Sequence, residues 1–396
     1  MPGLPSHDLV RSMKFHVPYY IQSLIPYVPG KSIQETQREY GISKVIKLAS
    51  NENPLGPCPK ALQAMRQSLS ELHRYPDPSG FELKQTLTQI HAIGFSSLAL
   101  GNGSNELIDN LIRTFCVSGD MIVTSQFSFI AYQISAQIHG VSTLHAEVDS
   151  RFKIKMGDLI SKVRDNERVK LVFIANPNNP TGAYVTTEEM NEFVAQLSEI
   201  RGGSVLLVLD YAYWEYVRAP DLPDPHGFFS LYPNIVILRT FSKVFGLAGL
   251  RVGYAIASPE VIGSLEKVRQ PFNMNSLALK AASAALTDQA FVEASVQVNQ
   301  AGMRLWEDAL RRLKIPYIPS QGNFILVNMK EAVGVSGMKV YQVCLAKGVV
   351  FRPLANYSLP DYLRISMGSA EENTSAIKVL ETAVLGFRQE SVREGA

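Results

Sequence analysis

Lys243 sits in Thr240-Phe-Ser-Lys-Val-Phe-Gly-Leu-Ala-Gly-Leu-Arg251, directly after the apolar run 235–238. A lysine at a strand end, flanked by small hydroxyls and glycines and followed eight residues on by an arginine, suits a covalent aldehyde cofactor that carries a phosphate. The ε-amine of Lys243 would form the Schiff base, while the Thr240 and Ser242 hydroxyls and the Arg251 guanidinium would hold the phosphate dianion.

A lone loop lysine is ordinarily a solvated surface residue, so the reading rests on three further segments. Asp210-Tyr-Ala-Tyr213 ends the apolar run 204–209. An aspartate there points into the crevice where open α/β sheets bind ligands. Its carboxylate is suited to keeping a pyridine nitrogen protonated, which makes the ring an electron sink, and Tyr213 is within reach of a neighbouring ring hydroxyl. Ala175-Asn-Pro-Asn-Asn-Pro-Thr-Gly182 follows another apolar run and forms a rigid turn loop that aims Asn179 at a ring oxygen. Leu100-Gly-Asn-Gly-Ser-Asn-Glu106 precedes a helix-like stretch, so Gly103, Ser104 and Asn105 offer backbone amides and a helix dipole to an anion. That loop fits neither G-x-x-x-x-G-K-[ST] nor a strict G-x-G-x-x-G, which leaves nucleotide binding weakly supported, and no metal is expected.

These segments need strands to carry them. Short, nearly continuous apolar runs at 121–124, 170–175, 204–209, 235–238 and 253–257 alternate with longer stretches of helical spacing. That pattern predicts an α/β fold with a mostly parallel central sheet covered on both faces. A helix is expected to start near Thr187, with Thr187 as cap. A helix-friendly stretch from 277 to 313, followed by apolar runs at 323–327 and 362–366, predicts a smaller α+β domain. Pro2, Pro5, Pro18, Pro26 and Pro29, closed by Gly30, describe an extended N-terminal arm with one short helix. The expected units are an arm at 1–45, a large cofactor-binding domain at 46–272 and a small domain at 273–396.

Composition narrows the class. The 396 residues are 46% hydrophobic and 19% charged, with 38 Lys+Arg against 36 Asp+Glu, enough to bury a core without disulfides. Cys58, Cys116 and Cys344 form no C-x-x-C and read as small core residues. A net charge of +2 with interspersed signs gives no electrostatic case for nucleic acid. The apolar runs are too short for membrane helices, and prolines interrupt the place of a signal sequence, so a cytoplasmic location is expected.

Taken in order, the four segments resemble the fold-type I aminotransferases that use pyridoxal 5′-phosphate. With Tyr27-Val-Pro-Gly30, Lys47-Leu-Ala-Ser-Asn-Glu-Asn-Pro-Leu-Gly-Pro57 and Arg74-Tyr-Pro-Asp77, the chain is similar to the histidinol-phosphate aminotransferase family from about residue 20 to 385. The resemblance implies Lys243 as proton shuttle, Asp210 on the pyridine nitrogen, and Asn179 and Tyr213 at the ring hydroxyl. It implies Ser104, Asn105, Thr240, Ser242 and Arg251 at the phosphate, joined by Tyr75 from the partner subunit of a homodimer. Phe127 stands where that family stacks an aromatic ring on the cofactor. Arg364 corresponds to the arginine that binds the substrate carboxylate, and Arg352 to one that meets the distal phosphate, with Tyr27 and Asn53 in the same pocket. The implied reaction is transamination of L-histidinol phosphate with 2-oxoglutarate. An aromatic amino-acid aminotransferase, a decarboxylase on the same scaffold, and a regulator built on a retired aminotransferase domain are the alternatives.

Overall fold

The computed structural model describes residues 16–394. Pro2 and Pro5 of the expected arm lie outside the described residues. In chain order the strands are β1 (Ile46–Lys47), β2 (Leu98–Gly101), β3 (Met121–Ser125), β4 (Ser142–Ala146), β5 (Val169–Ala175), β6 (Leu206–Asp210), β7 (Ile235–Thr240), β8 (Gly253–Ile256), β9 (Tyr317–Ile318), β10 (Phe324–Asn328), β11 (Val349–Val350), β12 (Arg352–Leu354) and β13 (Leu359–Ser366).

A seven-stranded sheet has the order β2-β8-β7-β6-β5-β3-β4. Its alternating side chains feed two cores. Leu207, Leu209, Ile235 and Ile237 face one, together with helices Met156–Arg164, Thr187–Glu199 and Ser276–Leu286. Leu206, Val208, Val236 and Leu238 face the other, with helices Ser104–Phe115, Ile130–Ile138 and Pro259–Val268. Two covered faces explain why these strands are apolar without alternation.

The apolar run at 253–257 does form a strand, but β8 pairs antiparallel with both β7 and β2 and is the one reversed strand. A parallel neighbour needs a crossover of about a dozen residues, usually helical. Residues 241–252 contain only a short 3₁₀ turn, Ala248–Leu250, and return directly. The loop that carries Lys243 therefore connects an antiparallel pair. β2, which the sequence reading treated only as the approach to a phosphate loop, closes that edge of the sheet.

The second sheet, β12-β13-β10-β9, is antiparallel and packs on helices Gln289–Arg312 and Ala370–Glu394 through Trp306, Ile325, Ile365 and Leu380. The helix-friendly stretch from 277 to 313 forms two helices, Ser276–Leu286 and Gln289–Arg312, and Asp288 caps the second by accepting the Phe291 amide. The cap before Glu188 is also one residue earlier than expected. Thr186, not Thr187, accepts the Glu189 amide while Glu189 accepts the Thr186 amide, a reciprocal capping box. Among the described residues the arm has two short helices, Tyr19–Gln22 and Ile33–Tyr40, where one was expected. Cys58, Cys116 and Cys344 are free and buried. No helix among the described residues is long and apolar enough to cross a membrane.

Candidate active site

The C-terminal ends of β5, β6 and β7 deliver Ala175, Asp210 and Thr240 to one edge of the sheet, where open parallel sheets form their crevice. There a cavity of about 200 Å³ is lined by Lys243, Asp210, Tyr213, Asn179, Ser104, Asn105, Thr240, Ser242, Arg251, Tyr27, Arg352 and Arg364. Twelve of the residues singled out from sequence thus converge on it, although they span positions 27 to 364.

One end is built for an anion. Ser104 opens helix Ser104–Phe115 behind Gly103, whose φ of 78° suits glycine. A Cβ on Gly103 would lie 2.4 Å from Arg251 Nη2, and one on Gly253 would lie 2.7 Å from the Ser104 amide nitrogen. Only glycines let the helix start and the guanidinium approach this closely. Arg251 Nη1 donates to the Ser242 hydroxyl at 3.3 Å and to the Ala248 carbonyl at 3.0 Å, and the Thr240 and Ser242 hydroxyls lie 3.0 Å apart. Free amides at a helix start, two hydroxyls and a guanidinium make a cradle for a phosphate dianion.

In the middle, Lys243 Nζ lies 3.4 Å from the Ser50 carbonyl and 5.5 Å from the Tyr213 ring centre. Burial, and next the Arg364 charge, lower its pKa to about 8. At pH 7 roughly a tenth of such an amine is neutral and nucleophilic, far more than for a free lysine. Asp210 is buried, which raises its pKa; hydrogen bonds from Tyr132 and the Ala212 amide, and the Lys243 charge, oppose that rise. Tyr213 accepts from Asn51 Nδ2 at 2.9 Å, and burial pushes its hydroxyl up to about 12, so it stays protonated.

At the far end Arg364, on β13, donates to Asn179 Oδ1 at 2.5 Å and to the Ala49 carbonyl at 2.6 Å, and packs over the Phe324 ring. Its Nε has no hydrogen-bond partner among the described residues. Arg352, on β12, donates to the Val28 carbonyl at 2.7 Å and sits 5.6 Å from the Tyr27 ring centre. Two buried guanidiniums beside one cavity require anionic ligands to offset them.

Gly103, which admits Arg251, and three other expected residues do not line this cavity. Asn53 is buried behind it, donating to the Val244 carbonyl at 2.7 Å and the Ser295 hydroxyl at 2.8 Å; it braces the lysine loop and does not face a ligand. Phe127 lines an adjoining cavity of about 450 Å³ and packs edge-on against Phe152; Phe129, two residues on, lines both cavities. The left-handed φ of 53° at Phe127 turns the chain there, which sequence alternation does not reveal. Tyr75 is 82% exposed and stacks on Phe272 at the surface. Sequence reasoning missed Asn51, Tyr132 and Tyr357, which also line the cavity. Asn51 lay within the quoted Ser50-Asn-Glu-Asn53 string, whereas Tyr132 and Tyr357 looked like ordinary core aromatics.

A buried amine of low pKa, a dianion cradle at one side and a buried carboxylate at another fit a phosphorylated pyridine aldehyde. The profile of the family described as aminotransferase class I and II matches residues 43–380. A histidinol-phosphate aminotransferase of Bdellovibrio bacteriovorus is 43% identical over 91% of this chain and 96% of its own length. One from Nitrosococcus oceani is 44% identical over 93% and 96%. Among solved structures, the histidinol-phosphate aminotransferase of Sinorhizobium meliloti in complex with pyridoxal 5′-phosphate superposes with a TM-score of 0.84 at 26% identity, covering 95% of this chain and 99% of that one. A Thermus thermophilus aspartate aminotransferase shares the fold at a TM-score of 0.81 and 20% identity.

Proposed function

The chain belongs to the class I and II aminotransferases, and from that premise we propose that it transfers the amino group of L-histidinol phosphate to 2-oxoglutarate with bound pyridoxal 5′-phosphate, a step of histidine biosynthesis. The observation that carries the reading is Lys243, with a pKa lowered to about 8, standing between a phosphate cradle and two buried arginines.

Thr240, Ser242, Ser104, Asn105 and Arg251 would hold the cofactor phosphate, Asp210 its ring nitrogen, and Tyr213 and Asn179 its ring hydroxyl. When bound, pyridoxal phosphate supplies a ring that takes up the electron pair left on the substrate carbon after deprotonation. Lys243 removes that proton and returns one to carbon, as general base and then acid. Over the first half the donor gives up its amino nitrogen and water provides the oxygen of imidazole-acetol phosphate. Over the second, 2-oxoglutarate gains the nitrogen as L-glutamate and its oxygen leaves as water. Arg364 serves the carboxylate of glutamate and 2-oxoglutarate, and Arg352 the phosphate of the donor. The proposal includes a cytoplasmic homodimer that places Tyr75 across the interface, with an arm at 1–45, a large domain at 46–272 and a small domain at 273–396.

A donor panel of histidinol phosphate, phenylalanine and tyrosine, each with 2-oxoglutarate, tests it. The highest kcat/KM is expected for histidinol phosphate. A preference for the aromatic amino acids, or turnover that does not need 2-oxoglutarate, would overturn it.

A further inference from the structure

Each carboxylate oxygen of Asp210 already has a donor. The Ala212 amide donates to Oδ1 at 3.1 Å, and the Tyr132 hydroxyl donates to Oδ2 at 2.7 Å. Asp210 and Tyr132 are both buried, so the bond between them is not diluted by solvent. The Tyr132 ring is itself pinned. It stacks on Phe173 with centroids 4.8 Å apart and meets Phe129 edge-on at 5.6 Å. A hydroxyl on a ring held from two sides fixes the rotamer of the carboxylate it touches.

We infer that Tyr132 is a positioning residue for the transamination, holding the Asp210 carboxylate in line with the cofactor ring nitrogen and keeping it ionised there. The inference rests on the pyridoxal phosphate reading above. Its physical basis is a competition. Burial favours the neutral form of Asp210, and the Tyr132 hydrogen bond is the largest opposing influence, ahead of the Ala212 amide and the Lys243 charge. Burial and the Asp210 charge raise the Tyr132 pKa well above that of a free phenol, so Tyr132 donates and does not ionise. The titratable groups that face Asp210 are Tyr132, Tyr213 and Lys243. Of these only Tyr132 gives it a hydrogen bond. Without that donor Oδ2 has no partner among the described residues, and the carboxylate either takes up a proton or turns. Either change weakens its hold on a protonated ring nitrogen, and with it the ring's capacity to absorb charge.

Tyr132→Phe keeps the ring and its stacking, so it removes the bond without opening a cavity. The holoenzyme variant is expected to lose about tenfold to a hundredfold in kcat, the range for a buried hydrogen bond to a charged group, with KM for both substrates changed less than about twofold. Its dissociation constant for pyridoxal phosphate rises about tenfold by the same argument. With cofactor labelled at the ring nitrogen, the ¹⁵N resonance moves toward the deprotonated pyridine position. In an Asp210→Asn background the same substitution adds less than about a twofold further loss, because the carboxylate it acts through is gone. An unchanged ¹⁵N resonance and kcat, or equal losses in both backgrounds, would overturn the inference and leave the proposed function standing. A wild-type chain that binds no pyridoxal phosphate would overturn both.

Discussion

An amine with a pKa near the pH of the solution exists in both forms, and Lys243 approaches that state because burial and Arg364 disfavour its charge. The same shift has a stability consequence. The folded-state pKa, about 8, lies below the ordinary lysine value of 10.5, so the unfolded chain binds the extra proton between those values and the apoprotein gains stability as pH rises through that window. Lys243→Met removes both effects. Turnover is expected to fall at least about a thousandfold, since the proposed general base is gone. The apo variant should melt above the apo wild type below pH 8, with the advantage vanishing toward pH 10.5. Thermal melts of the two apoproteins from pH 7 to 10.5 check the sign; a less stable variant at pH 7 would mean that the lysine is held by favourable contacts. In the proposed function the two arginines separate by substrate. Arg364→Lys cannot reproduce a bidentate grip and raises KM for glutamate and 2-oxoglutarate. Arg352→Gln raises KM for histidinol phosphate and leaves the glutamate half-reaction nearly unchanged. Half-reaction kinetics with each substrate distinguish the two, and equal effects on both substrates from either variant would refute the division.

These side chains stay in register because the loops that bear them are packed tightly against one another. Gly246, three residues after Lys243, has φ of +67°, and a Cβ there would lie 2.0 Å from the Gly56 carbonyl oxygen and 2.9 Å from Pro57 Cα. Backbone cannot move aside as a flexible side chain does. Gly246→Ala should therefore cost about 2 kcal/mol or more through strain and overpacking, seen as a lower melting temperature together with weaker cofactor binding. A variant with wild-type stability would show that the contact relaxes. The segments that carry this site were legible as strings: apolar runs located β3, β5, β6 and β7, Asp210 ended β6, and the loops after β5 and β7 supplied Asn179 and Lys243. What the strings lacked was direction and side. The run that became β8 has the composition of its parallel neighbours, and only the shortness of the 241–252 connection reveals its reversal. Asn51 and Asn53 are two residues apart in one motif, yet Asn51 lines the cavity and Asn53 braces the loop behind it. Tyr132 has the spacing of a core residue, and its role lies in one hydroxyl that periodicity cannot see.

For the molecule as a whole, a net charge of +2 means that anionic ligands are met by a few placed groups and no broad positive field. It also leaves an apolar surface to account for. Tyr75, Phe272, Leu55, Leu69 and Leu72 are all exposed, with Tyr75 and Phe272 stacked at 4.6 Å. In the proposed homodimer this surface is covered and Tyr75 acts at the other subunit's cofactor phosphate, so each site combines Lys243 of one chain with Tyr75 of the other. That arrangement predicts complementation. Lys243→Ala and Tyr75→Ala homodimers each lack a necessary group at both sites. Co-expressed in equal amounts, about half of the dimers are hybrids, and each hybrid has one site with both groups intact, which restores about a quarter of wild-type activity. If Tyr75 acted within its own chain, or had no part in the site, the hybrid would contain no repaired site and activity would stay at the mean of the two parents. Activity of the purified hybrid above the mean of its two parents identifies a site shared across the interface, and the Tyr75→Ala homodimer assayed alone shows whether Tyr75 has any part in it.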